Sequence, residues 1–187
     1  FIVGAGSVAW YVVHELREDF QSLIVRDQVT NVGFVARHLD GELSLRLGAL
    51  TTMAPFVSQL MRDNPLRLQA YLLDRKVTLR MISGNLFVIS KESVRIAEAP
   101  DHGHIGSDYA AAPYVKAVLA TGKPVFRAQL GRYSGRPGVL IAVPLFDDQG
   151  KVMGVLCGSD VIAPGSPLHL AGETPKDSTG GYHVLAP

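Results

Sequence analysis

Ile105-Gly106-Ser107-Asp108-Tyr109-Ala110-Ala111-Ala112-Pro113-Tyr114-Val115-Lys116-Ala117-Val118-Leu119-Ala120-Thr121-Gly122 reads as a loop followed by a helix, and three strand-like runs follow it. The runs are Pro124–Tyr133, Gly138–Phe146 and Val152–Asp160, each rich in Val, Leu and Ile and bounded by Gly, Pro, Asp or Ser. Ser134-Gly135-Arg136-Pro137 and Asp147-Asp148-Gln149-Gly150-Lys151 are the joints between them. Short Gly-containing joints between such runs make antiparallel hairpins. The stretch therefore predicts an antiparallel meander with one helix laid before it.

Upstream of this stretch, the apolar residues Leu16, Phe20, Leu23, Val29, Val32, Val35, Leu39, Leu43, Leu47 and Leu50 recur mostly at steps of three or four. That is helical spacing, and it predicts one continuous helix over about residues 8–53. Pro55 is expected to end it. Pro65, after Asp63 and Asn64, suits the first turn of a second helix running from Leu66 to about Ile82, where Ser83-Gly84-Asn85 stops it. Leu86–Ser90 and Val94–Ala97 add two strands, giving five in all. The expected fold class is α+β, with a long N-terminal helix on a five-stranded antiparallel sheet.

The composition narrows the function. The chain has 187 residues, 47% hydrophobic and 19% charged, enough to bury a core. A net charge of +1 with scattered arginines argues against a nucleic-acid partner, which needs a basic stripe. Cys157 is the sole cysteine and lies in an apolar run, so neither a disulfide framework nor a CxxC metal site is expected. Asp101-His102-Gly103-His104 holds metal-capable residue types, but in one loop with no second cluster; it reads as a polar loop, and no metal or cofactor is expected. Gly158-Ser159-Asp160 lacks the frame of a nucleophile elbow, and no catalytic triad is arranged along the chain.

Gly4-Ala5-Gly6-Ser7-Val8-Ala9 matches a GxGxxA dinucleotide fingerprint. With Ser22–Asp27 as a second strand and Asp27 on a ribose, it supports a rival reading, an NAD(P)-binding Rossmann enzyme fragment. The helical spacing across the same residues opposes it. Phe1–Val13 is apolar except for Ser7, shorter than the roughly 20 residues of a full membrane span. It is either a buried segment or the outer end of a span, and the chain is expected to be a piece of a longer protein.

The Gly106-Ser107-Asp108-Tyr109 run, Pro113-Tyr114-Val115-Lys116-Ala117 with Thr121-Gly122-Lys123-Pro124-Val125, and the ordered run from Ser134 to Leu156 resemble the extracytoplasmic Cache sensor domain. The resemblance covers about residues 60–161, and Ser178-Thr179-Gly180-Gly181-Tyr182 resembles the opening of the second, membrane-proximal lobe of a double Cache module. It implies a PAS-like sheet on a long helix, outside the membrane, that binds a small ligand and signals to a cytoplasmic output. The implied divisions are the long helix over 1–53, a membrane-distal ligand-binding lobe over 54–162, and a linker with the first strand of an incomplete lobe over 163–187. Implied also are a periplasmic position in an inner-membrane receptor and a homodimer through the N-terminal helix.

The family's amino-acid binders use an Arg, Trp and Tyr group before the helix and an Asp ending the last strand. Tyr114 and Asp160 match the Tyr and the Asp, whereas Ala111 and Pro113 stand where the Arg and Trp would be. Arg127 and Gln129 share one face of their strand, opposite Phe126, Ala128 and Leu130. The expected ligand site is therefore Asp108, Tyr109, Tyr114, Arg127, Gln129 and Asp160, converging between the sheet and the Asp108–Thr121 segment. Its ligand would carry a carboxylate, an amine, or both.

Overall fold

The computed structural model describes residues 37–162, and the chain divides into two units, Phe1–Gly41 and Glu42–Pro187. The Gly4–Ala9 fingerprint, the Ser22–Asp27 segment, the helix expected before residue 37 and the strand expected near Tyr182 lie outside the described residues.

Residues 37–63 are helical (α1). Within the second unit, Leu50, Met53, Ala54 and Val57 are buried, and Leu43, Leu47, Leu60 and Met61 pack partly buried beside them. These positions repeat at three and four, so one stripe of the helix faces the sheet. The helix runs through Pro55 rather than ending there, contrary to the sequence expectation. Proline removes one helical hydrogen bond and costs about 3 kcal/mol. The apolar stripe nonetheless continues in phase beyond it, and burying Val57, Leu60 and Met61 holds the chain helical up to Asn64.

Pro65–Asp74 forms α2 and Lys76–Met81 forms α3. The single helix expected over 66–82 is thus split at Arg75, whose backbone leaves the helical region. No Gly or Pro marks that break. The Arg75 guanidinium instead lies 4.4 Å over the Tyr71 ring.

The strands are β1 Asn85–Ser90, β2 Arg95–Ala99, β3 Val125–Leu130, β4 Pro137–Phe146 and β5 Val152–Val161, with α4 Pro113–Thr121 between β2 and β3. They form one sheet in the order β2-β1-β5-β4-β3, and every neighbouring pair is antiparallel. A doubly wound nucleotide-binding unit needs parallel strands, and none is present among the described residues.

The sheet has two covered faces. On one, Leu86, Val88, Ile141, Val143 and Leu156 meet α1 and α2. On the other, Phe87, Ile89, Leu140, Ala142, Val155 and Cys157 meet Tyr109 and α4. Small residues let α1 lie close: an added Cβ at Gly158 would come within 2.7 Å of Ile82 Cδ1 and 3.2 Å of a Leu50 methyl. Gly158→Val is expected to cost about 1–3 kcal/mol through overpacking, read as a lower urea midpoint.

Candidate functional site

The second face carries a polar network because of an irregularity in β2. In a regular strand, Arg95 and Glu98 would point to opposite faces. The β1–β2 register slips between Val88 and Ile89, so Arg95 pairs with Ile89 while Glu98 pairs with Phe87. Both side chains thereby emerge beside Phe87, on the face of α4. The bulge makes the site.

Gln69 of α2 closes the outer edge of β2 at this point. It accepts the Glu98 amide proton at 2.9 Å and donates to the Glu98 carbonyl at 2.8 Å, replacing the missing neighbour strand. The chain after β2 then folds back over the sheet. The amides of His102 and His104 donate to Glu98 Oε1 at 3.0 and 2.7 Å. The Arg95 amide donates to the Ser107 carbonyl, and that of Tyr109 to the Ser93 carbonyl. Tyr109 is thus pinned over the sheet.

Arg95 is buried at the centre of this arrangement. Its Nη1 donates to Glu98 Oε2 at 2.6 Å and its Nη2 donates to the Tyr109 hydroxyl. The guanidinium lies 4.0 Å over the Phe87 ring and 5.1 Å from the Tyr109 centroid. The His104 ring stacks on Tyr133, with centroids 3.6 Å apart, and its Nδ1 is 3.4 Å from Glu98 Oε2. Arg132 donates to the Asp108 carbonyl at 2.7 Å while its guanidinium sits 4.9 Å over Tyr109. Phe87, Arg95, His104, Tyr109, Arg132 and Tyr133 line a cavity of about 220 Å³ with Asn85, Tyr114, Gln129 and Leu140, while Glu98 is not among its walls. A second hollow of about 390 Å³ adjoins it between Tyr109, Tyr114, Gln129 and the start of α4.

The titration of the site follows from this packing. Burial alone would raise the Glu98 carboxyl, but the two histidine amides and Arg95 reverse the effect and hold it at about 2. Burial raises the Tyr109 and Tyr114 phenols, so both stay protonated donors at neutral pH. Burial also pushes the Cys157 thiol up, which makes it an inert core residue rather than a nucleophile.

The structure brings only some of the sequence-predicted residues together. Tyr109, Tyr114 and Gln129 line the cavity around Arg95. Asp108 lines the adjoining hollow, with its Oδ1 accepting the Ala110 amide at 2.7 Å. Arg127 pairs with Leu140 and so lies on the correct face, but it is exposed and outside the lining of either space.

Asp160 does not join them, and its expected convergence is corrected. Its side chain is buried on the α1 side, where Oδ2 accepts Arg46 Nε at 2.7 Å and Oδ1 accepts the Ser83 amide at 2.7 Å. Strand alternation explains this, since Asp160 shares its face with Leu156. The sequence reading in turn missed Arg95, Glu98, His104, Arg132 and Tyr133. The Asp101–His104 run, taken for a plain polar loop, is the wrap around Glu98.

A larger, apolar hollow of about 490 Å³ lies on the α1 side, between Ala54, Pro55 and Ser58 of the helix and Val143, Pro144 and Phe146 of β4. It contains none of the network. Among the described residues no group of three or more His, Cys, Asp or Glu is placed to hold a metal ion.

No family model and no curated protein matches the chain. Solved structures do. The sensor domain of the Vibrio cholerae histidine kinase DctB has a TM-score of 0.66 at 18% identity, over 82% of this chain and 60% of that one. The ligand-binding domain of the Pseudomonas aeruginosa PAO1 amino acid chemoreceptor PctC, in complex with GABA, gives 0.60 at 16%, over 71% and 61%. The Escherichia coli DcuS sensor domain gives 0.52 at 17%, over 67% and 92%. The chain spans about 60% of the length of the first two. These likenesses show the fold: it is that of Cache-type, PAS-like sensor domains.

Proposed function

We propose that this chain is the extracytoplasmic small-molecule sensing part of a membrane-anchored signalling receptor. The observation that carries the reading is the cavity around Arg95. The arginine of a buried ion pair, two phenols and a histidine–tyrosine stack are ordered by the backbone and line a hollow. Concave sites with an apolar wall and a few convergent polar groups are the usual form of a ligand pocket. On this reading the domain binds its ligand, and any catalysis belongs to an output domain.

The fold shared with sensor domains of a histidine kinase and a chemoreceptor supports a signalling output beyond the chain. On this reading the domain lies in the periplasm, anchored in the inner membrane. Among the described residues no helix is long and apolar enough to cross a membrane, so the anchor belongs outside them. Two copies pair in parallel along the N-terminal helix, which runs on through Pro55 to Asp63, and the sheet and helices that follow up to residue 162 form the membrane-distal lobe. Residues 163–187 lead into a second, membrane-proximal lobe. The pairing is weak in isolation, because the anchor supplies local concentration in the receptor. Sedimentation of the chain at high concentration is expected to show a dimer fraction, and monomer alone would count against it.

A thermal-shift screen against metabolites tests the sensing role. A ligand at 100 times its dissociation constant adds about 2.7 kcal/mol to stability. Arg132 lines the cavity from an exposed position, so Arg132→Ala is expected to leave the fold intact. The same change should weaken binding by about 1.5–3 kcal/mol, the value of a charged hydrogen bond. Unchanged affinity in Arg132→Ala, measured by calorimetry, would remove this cavity as the site.

A further inference from the structure

The charges of the cavity define the class of ligand, on the reading that the cavity is the sensing site. We infer that it takes a small carboxylate that carries no ammonium group. An ammonium group is held most strongly by a free carboxylate, and no Asp or Glu is among the residues lining this space. Glu98 is the carboxylate nearest the centre, and its capacity is taken. Oε1 accepts two backbone amides, while Oε2 accepts Arg95 at 2.6 Å and the Asn85 side-chain Nδ2 at 3.4 Å. Asp108 spends Oδ1 on Ala110 and stands on the rim of the neighbouring hollow. Asp160, the residue that would hold an ammonium by sequence resemblance, is turned to the other face and paired with Arg46.

The cationic side of the ledger is in surplus. Glu98 offsets Arg95. Arg132 has no acidic partner among the described residues and contacts only a backbone carbonyl and two phenol rings. Two buried atoms here lack a hydrogen-bond partner: Arg95 Nε, a donor, and Asn85 Oδ1, a neutral acceptor that adds no net charge. His102 and His104 add no negative charge, and Tyr109 and Tyr114 stay neutral donors. The field in the cavity therefore favours an anion and repels a cation. Phe87, Tyr109, Tyr114 and Leu140 give the space apolar walls, which suit a short carbon skeleton better than a fully hydrated inorganic anion. At about 220 Å³ the space around Arg95 lies below the ~300–1,000 Å³ range of drug-sized sites and suits a skeleton of a few carbons, a longer one extending into the adjoining hollow of about 390 Å³.

The test is a calorimetric titration of the full chain, wild type and Arg132→Ala, with skeleton-matched pairs: propanoate and lactate against alanine, butanedioate against aspartate, and inorganic phosphate alone. The expected result is that at least one carboxylate without an amine binds. It should bind at least 10-fold tighter than its amino counterpart and than phosphate, and lose at least 10-fold in Arg132→Ala. Equal or tighter binding of the amino acids or of phosphate, still sensitive to Arg132→Ala, overturns the ligand class and leaves the site standing. Binding of no probe, or binding indifferent to Arg132→Ala, overturns the ligand class together with the site.

Discussion

Glu98→Ala is expected to destabilise the domain by about 3–5 kcal/mol, the cost of leaving a buried guanidinium without its carboxylate. Glu98 is fully buried, and its loss orphans Arg95 together with the amides of His102 and His104. The loop that pins Tyr109 loses its anchor in the same step, so ligand binding should fall with stability. The pH dependence gives a second reading of the same group. Its folded carboxyl sits at about 2, against 4.5 for the free side chain. Below 4.5 the unfolded chain therefore binds a proton that the folded chain refuses. The stabilisation is complete above about 4.5 and is lost as the pH falls toward about 2. Urea midpoints measured across that window should fall steeply in the wild type and less so in Glu98→Gln. Equal slopes in the two proteins would mean that Glu98 is not held ionised by this network.

The buried pair between Arg46 and Asp160 should show an effect of similar size with no consequence for binding. Arg46→Met leaves Asp160 buried and unpaired except for Ser83, at an expected cost of about 3–5 kcal/mol. Asp160→Leu strands Arg46 with only Glu42 and deprives the Ser83 amide of its acceptor, with a loss of the same order. The double substitution should cost clearly less than the two singles added together, because each single leaves behind a charge that the double removes. Affinity measured on any of these variants that remains folded should match the wild type, since Asp160 faces α1. A selective loss of ligand affinity in Asp160→Leu would return that residue to the binding site.

The two effects mark where sequence reasoning reached and where it stopped. The strands were legible because their Val, Leu and Ile runs end in turn residues. The helix end was misread at Pro55, since a local cost of about 3 kcal/mol was outweighed by an apolar stripe that stayed in phase to Met61. The break at Arg75 carries no Gly or Pro and left nothing to read.

At the site, Tyr109, Tyr114 and Gln129 were within reach because the helix and its leading loop must cover the face that α1 leaves open. Arg95 and Glu98 were hidden by the register slip, which brings to one face two residues that alternation assigns to opposite faces. Asp160 was misassigned by resemblance, although its parity with Leu156 on β5 already placed it on the α1 side. Its partner, 114 residues away in sequence, has no local signature.

If the space around Arg95 is where this domain meets its ligand, nuclear magnetic resonance will register it residue by residue. Backbone and side-chain shifts would be recorded on the full chain during titration with the tightest binder from the metabolite screen. The saturating changes are expected to centre on Arg95, His104, Tyr109, Tyr114, Gln129 and Tyr133. Changes centred instead on Ala54, Ser58, Val143 and Phe146, the apolar hollow beneath α1, would contradict it.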